Sequence, residues 1–456
     1  MSGESKGQGY PSLGRARYAQ MLLVFVAFFT AMDIYVISLL VEPIKHELGL
    51  TDVEVGLANT SVLYAAYALF CIPMGMLVDR LNRVRMLVGA VALWCVGLTL
   101  TGLSGGLWLL VASKAVLGLA NAITLPTSMS LLADYFAPDR RAMATSTYGV
   151  GQGIGQAGAI LVGGMGFGAL TKLVAADPGA LFGLTPWRVV SLAFALAGVL
   201  LIPLLATIRE PARMEVRQAG GGTFREIWAF RGFLLPLLGG TMFLSGMSTG
   251  VLSWIPPALT RLYGQQPGDF AGWFSAVSLV SSVAGILAGG KLVDRVHRRG
   301  GRGRVMRPAA IAALLCVPAS FMAVMPNLIW FALCAMLFTI AYAVAISIPV
   351  IAINFRIPNE LRGAVMGLYV VTVAVAGAAA APLVAVAGKM LGGDAMLGEG
   401  MAVIGAPFAL LAALCFWRTS RTDAEPPGEE GVAPDRRGGA GDPAYRLRSE
   451  PVSVQR

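Results

Sequence analysis

The chain has 456 residues, 56% of them hydrophobic and only 13% charged, with a formal net charge of +10 and a mean hydropathy of +0.70. That charge is too sparse to cover the surface of a soluble domain of this length, so a soluble globular protein is excluded. The arginines sit between apolar runs rather than along one amphipathic face, which excludes a nucleic-acid-binding surface. The five cysteines (Cys71, Cys95, Cys316, Cys334, Cys415) all fall inside apolar runs with no close pair, which speaks against a disulfide or metal framework.

Apolar runs of about 20 residues, long enough to cross a bilayer as helices, recur from one end of the chain to the other. A polar start carrying Arg15 and Arg17 precedes a first run, 19–41, that is too long for the core of a cleavable signal. Within it, FFTAMDIYVISLL (28–40) places Asp33 in the middle of apolar neighbours. A carboxylate at a helix centre costs roughly 2.5–3.5 kcal/mol on insertion scales and marks a functional site by default. The second run, 56–78, contains NTS (59–61), a glycosylation pattern placed where no glycan is attached, and ends at DRLNRVR (79–85). The third is 86–104. The fourth, 107–133, carries Lys114 eight residues in; Lys114, Gly118 and Asn121 share one helical face. DYFAPDRR (134–141) leads to the fifth, 142–170, where Tyr148, Gln152 and Gln156 stack on one face. GIGQAG (153–158) matches a dinucleotide-binding pattern only literally, because it lies inside a span and follows no strand; its glycines read as places of close helix approach. The sixth run is 188–208.

Residues 209–230 read as a linker. The second half repeats the pattern at 231–255, 270–292, 307–325, 328–354, 364–388 and 401–417, and the polar stretch 418–456 reads as a disordered tail. Twelve crossings put both termini on one side of the membrane. The segments on that side, including 79–85, 134–141, 209–230 and 293–306, hold most of the Arg and Lys, so the positive-inside rule places both termini in the cytoplasm. The expected fold is an all-α membrane protein with an N-terminal lobe (1–208) and a C-terminal lobe (231–417). An internal repeat supports the two lobes. GMLVDRLNR, from Gly75, and GGKLVDRVHRR, from Gly289, align Asp79, Arg80 and Arg83 with Asp294, Arg295 and Arg298 at an offset of 215. Arg141 and Tyr148 match Arg362 and Tyr369 at an offset of 221. Tandem six-helix repeats are the layout of two-lobed transporters, with a solute site between the lobes near mid-membrane.

GMLVDRLNR resembles the loop signature of the major facilitator superfamily, with Asn82 where its second Gly usually stands, and KAVLGLANA (114–122) resembles that family's fourth-helix pattern, with Lys114 in place of Arg. The closer resemblance is to the spinster-like branch, through MDIYVISLLVEPIKHELGLTDVEVGL (32–57), LLADYFAPDRRAMATS (131–146) and PWR (186–188); Ile34 and Asn121 stand where that branch has Arg and Glu. The resemblance implies a secondary active transporter working by alternating access, a symporter or antiporter driven by protons acting through Asp33 and Lys114, for an amphiphilic or lipid-like organic solute. It also implies a gate at the cytoplasmic face built from Gly75, Asp79, Arg80, Arg83, Asp294, Arg295, Arg141 and Arg362.

Lys114, Asn121, Tyr148, Gln152 and Gln156 form the expected polar wall of the cavity, facing Trp254, Tyr342 and Tyr369 from the other lobe. Asp33 and Lys114, the two charges deep in the spans, are expected to face each other, either as the coupling site or as a fixed structural pair. An alternative is a proton-coupled importer of small organic or aromatic acids with Lys114 as carboxylate receptor; an alternative of another class is a sensor or receptor that no longer transports. Enzyme chemistry has little to work with, since the only histidines, His46 and His297, lie on opposite faces and no metal motif, P-loop or nucleophile elbow occurs. No cofactor is expected. The expected partners are the solute, protons and the lipid bilayer, with the chain a monomer in a bacterial inner membrane.

Overall fold

The computed structural model of the chain describes residues 10–213, 224–298 and 305–422. Among them, twelve helices are long and apolar enough to span a bilayer: α1 (Leu13–Leu39), α2 (Asp52–Val78), α3 (Arg83–Gly102), α4 (Leu107–Tyr135), α5 (Met143–Ala176), α6 (Pro186–Ala206), α7 (Arg231–Tyr263), α8 (Pro267–Val293), α9 (Arg307–Val324), α10 (Leu328–Arg356), α11 (Leu361–Leu391) and α12 (Asp394–Thr422). In hydrocarbon only internally bonded backbone survives, which is why these runs form helices. Large apolar side chains cover the outside of the bundle: Trp108 and Met390 are each 82% exposed and Ile329 72%. The chain is an integral membrane protein built as two six-helix lobes.

The last helix runs to Thr422, past the expected boundary, and residues 423–456 of the expected tail lie outside the described residues. Because successive spans reverse direction, the start of α1, the segment after α6 and the end of α12 share one end of the bundle, here the terminal end. The α1–α2, α5–α6, α7–α8 and α11–α12 connections are at the far end. The repeat is visible in bonding as well as in sequence. The Arg141 guanidinium donates to the carbonyl of Ala133 at 2.8 Å and that of Arg362 to Asn354 at 2.8 Å, so each arginine binds a carbonyl near the end of the preceding span at equivalent places in the two lobes.

Small residues let the helices around the centre approach closely. A Cβ at Gly155 on α5 would lie 2.3 Å from the Phe28 carbonyl oxygen of α1, and one at Gly118 on α4 would lie 2.3 Å from the Leu63 carbonyl oxygen of α2. Of the GIGQAG glycines, Gly155 and Gly158 thus pack against Phe28, while a Cβ at Gly153 would meet open space. Gly118 serves packing too. Two spans contain a π-turn, Leu57–Ser61 in α2 and Ala159–Gly163 in α5. Beyond each turn the lobes touch toward the far end. A Cβ at Gly56 would meet Pro382 of α11 at 3.3 Å, and one at Gly164 would meet the Pro267 carbonyl oxygen of α8 at 2.8 Å.

Candidate solute site between the lobes

Where α1, α2, α4 and α7 converge, a small cavity of about 30 Å³ lies at the lobe interface. Asp33, Ile34 and Ser38 reach it from α1, Asn59, Thr60, Leu63 and Tyr64 from α2, Lys114 from α4, and Thr249 and Ser253 from α7. Asp33 is 2% exposed and Lys114 1%. Both carboxylate oxygens of Asp33 are buried with no hydrogen-bond partner. No hydrogen bond or ion pair to Lys114 occurs among the described residues either, and the Trp94 indole nitrogen of α3 is likewise buried without a hydrogen-bond partner. The two charges thus share one cavity, as the sequence predicts, but are not a contact ion pair.

The other expected site residues divide. Trp254 borders a second, adjacent cavity together with Asn59, Thr60 and Ser253; its indole N–H donates to the Ala381 carbonyl at 3.0 Å, inside the C-terminal lobe. Tyr342 is half-buried against the apolar core that runs through both lobes, and Tyr369 lies within it. Tyr64 of α2 lines the cavity from the N-terminal lobe, so the aromatic lining does not come from the C-terminal lobe alone. Tyr148 is buried in the N-terminal core. Asn121 is half-buried with its amide nitrogen enclosed and unpartnered, Gln152 is exposed and Gln156 half-buried. None of these last four lines either cavity. Helical spacing identified the shared faces, but of their residues only Lys114 reaches a cavity.

The expected gate residues lie at the terminal end. Arg83 is only 1% exposed. It pairs with Asp134, bonds Glu210 at 2.7 Å and donates to the Pro211 carbonyl at 3.0 Å. Glu210 in turn accepts from the Val84 backbone N–H at 3.0 Å. The Asp79 carboxylate is exposed and makes no hydrogen bond or ion pair among the described residues, while Arg213 caps the end of α2 by donating to the Val78, Asp79 and Leu81 carbonyls. Arg80 and Arg295 are exposed, a Cβ on Gly75 would meet open space, and the Asp294 side chain lies outside the described residues. Arg83, Arg141 and Arg362 are thus bonded to their own lobe or to the segment after α6.

A charge network of helix-end and loop residues bridges the lobes at the far end. Arg261, at the end of α7, grips the Asp52 carboxylate with two bonds of 2.7 Å and bonds Glu42 at 2.8 Å. Lys45 bonds Asp52 at 2.8 Å and Asp394 of the α11–α12 turn at 2.5 Å. Burial opposes the Lys45 charge, but Asp394 and Asp52 outweigh it and hold the ammonium above its usual pKa. Beside this network, and within the N-terminal lobe, Glu47 accepts from the Trp187 indole at 2.5 Å and from Arg188 at 2.9 Å. Burial works against its ionisation, while Thr185, Trp187 and Arg188 prevail and keep its carboxyl below the usual range.

The chain is similar to known transporters over most of its length. It is 25% identical to an "MFS-type efflux pump" of Mycolicibacterium smegmatis, covering 89% of this chain and 93% of that one. It is 27% identical to a "Probable sulfoacetate transporter" of Cupriavidus necator, covering 67% and 70%. Its fold matches the crystal structure of a bacterial homolog of the human lysosomal transporter Spinster in an inward-facing, occupied conformation, with a TM-score of 0.75 at 20% identity, covering 92% of this chain and all of that one. The family model described as Major Facilitator Superfamily matches residues 23–382, and the chain belongs to that superfamily of membrane transporters, which are not enzymes.

Proposed function

We propose that this chain carries a small organic anion together with a proton by alternating access between its two lobes. The observation that carries this reading is the Lys114 ammonium, 1% exposed, bordering the inter-lobe cavity with no hydrogen bond or ion pair among the described residues, beside an Asp33 carboxylate that likewise has no hydrogen-bond partner among them. The charge count explains the coupling. Empty, the site holds one negative and one positive charge and is neutral. An anion at Lys114 makes it negative, and a proton on Asp33 restores neutrality. A neutral site is the cheapest to enclose in a low-dielectric interior, so anion and proton move as a set.

Of the solute classes read from the sequence, the buried Lys114 ammonium at the cavity supports the organic acid over the amphiphile. The cavity, about 30 Å³, leaves no room for a long tail in this state. The sulfoacetate relative points the same way. With the positive-inside rule placing the termini in the cytoplasm of a bacterial inner membrane, the closed far end faces outward. Asp79 and its neighbours then belong to a gate that engages when the cytoplasmic side shuts. Substrate-dependent flux separates this reading from a sensor that retains the fold.

The test uses labelled gluconate, a monoanion whose charge one proton balances, in proteoliposomes. Asp33→Asn should abolish accumulation driven by a pH gradient while preserving exchange at equal pH, and Lys114→Ala should impair both. If Asp33→Asn still concentrates the anion in response to a proton gradient, Asp33 is not the coupling site, and a fixed structural role is the better account.

A further inference from the structure

Asn59 sits in the π-turn Leu57–Ser61 of α2, a feature often found at functional sites because the extra residue per turn changes which side chains face a cleft. The matching π-turn of α5, Ala159–Gly163, carries only apolar residues and glycine. The α2 turn instead presents three consecutive polar side chains at the lobe interface, and two of them are already spent. The Thr60 hydroxyl donates to the Gly56 carbonyl at 2.7 Å, and the Ser61 hydroxyl donates to the Ala378 carbonyl across the interface. Asn59, 8% exposed, makes no hydrogen bond among the described residues. Its amide offers two donors and an acceptor, and a buried amide left without partners is costly.

Its position says what the missing partner is. Asn59, with Thr60 and Ser253, borders both the cavity that holds Lys114 and Asp33 and the second cavity beside Trp254. A solute anchored by its anionic group at Lys114 and extending toward the second cavity passes Asn59. We infer that Asn59 is a specificity-determining residue that hydrogen-bonds a hydroxyl or carbonyl group on the solute, so that the protein selects hydroxylated or oxo organic anions over their plain homologues. The inference rests on the anion reading at Lys114. A plain acid would dehydrate the amide and give nothing back, and sites built to bond a hydroxyl discriminate strongly against analogues that lack it.

Thermal-shift titration of the purified protein with matched probes tests this: lactate against propanoate, and gluconate against hexanoate. The wild type should bind the hydroxylated member of each pair about tenfold or more tightly. In Asn59→Leu that ratio should fall toward one, and in Asn59→Ser, which keeps a donor and an acceptor, it should partly return. Lys114→Ala should weaken binding of all four acids. A wild-type ratio near one, or an Asn59→Leu variant that weakens both members equally, overturns the role of Asn59 and leaves the anion site at Lys114 standing. Should Asn59→Leu fail to insert, Asn59→Ala supplies the same ratio. Should none of the four acids, nor sulfoacetate, bind the wild type, the anion reading fails and this inference with it.

Discussion

The two ends of the bundle use buried charge for different purposes. At the far end Arg261 and Lys45 join helices of opposite lobes: Glu42, Lys45 and Asp52 belong to the N-terminal lobe, Arg261 and Asp394 to the C-terminal one. At the terminal end Arg83 joins α3 to α4 and to the segment after α6, all on the N-terminal side of the chain. A bond between lobes has to break for the molecule to change state. A bond inside a lobe survives the change and only keeps the lobe in shape. The far-end network should therefore set which state is populated, and the Arg83 cluster should set whether the N-terminal lobe holds together. Arg83 sits within a motif that reads as a gate, yet its burial gives it the structural part.

The Arg83 cluster carries the largest expected effect. Removing one member of a buried, hydrogen-bonded charge pair strands its partner and costs roughly 3–5 kcal/mol. Arg83 and Asp134 have side chains only 1% and 8% exposed. Arg83→Ala should therefore lower the thermal unfolding midpoint in detergent by several degrees or more, without a selective rise in far-end accessibility. A variant with wild-type stability and altered gating would reverse the assignment and return Arg83 to the gate.

The far-end network carries the next effect, and it should appear in a different measurement. Arg261, Asp52 and Glu42 are more accessible, at 13%, 10% and 23%, so water relieves part of the loss. A shift of about 2 kcal/mol in the balance between states, roughly 30-fold, is expected. In a background with the native cysteines removed, Ser253→Cys borders both cavities. Arg261→Ala should raise its labelling rate by an impermeant thiol reagent added from the far side, while the unfolding midpoint moves little. Unchanged labelling would mean that the glycine contacts of α2 with α11 and α5 with α8 suffice to keep that end shut.

Much of this was legible in the chain, because bilayer physics writes itself into sequence. Twelve apolar runs, the tandem repeat and the two misplaced charges follow from what hydrocarbon forbids, and Asp33 and Lys114 do share a cavity. Asn59 was visible only as part of a glycosylation pattern in the wrong place: an amide inside a span is ambiguous until its neighbours are known, and a π-turn has no clear sequence signature. The far-end network was hidden for another reason. Lys45, Asp52, Arg261 and Asp394 are ordinary loop and helix-end charges, and their meaning comes from pairings across as many as 349 residues. Tyr148 and Gln152 show the converse. Spacing put them on one helical face, but nothing in spacing says whether that face meets a cavity, a neighbouring helix or lipid.

The smallest effect tests the comparison within the far end itself, where Glu47 bonds inside its own lobe. Its folded-state pKa is held down by Thr185, Trp187 and Arg188 against the cost of burial. A carboxyl whose pKa is lower in the folded than in the unfolded chain adds stability above its unfolded value, about 4.3, and that stability is lost as the pH falls through the folded value. The side chains of Glu47 and Arg188 are 29% and 14% exposed, so the contribution is that of a partly screened pair, about 1 kcal/mol or less. The unfolding midpoint of the wild type should therefore fall slightly more steeply below about pH 4.3 than that of Glu47→Gln, with the two curves parallel at neutral pH. Because these bonds stay inside one lobe, labelling of Ser253→Cys should not follow that pH dependence. If it does, Glu47 is part of the latch between the lobes, and the division of the far end into bridging and intralobe charges is wrong.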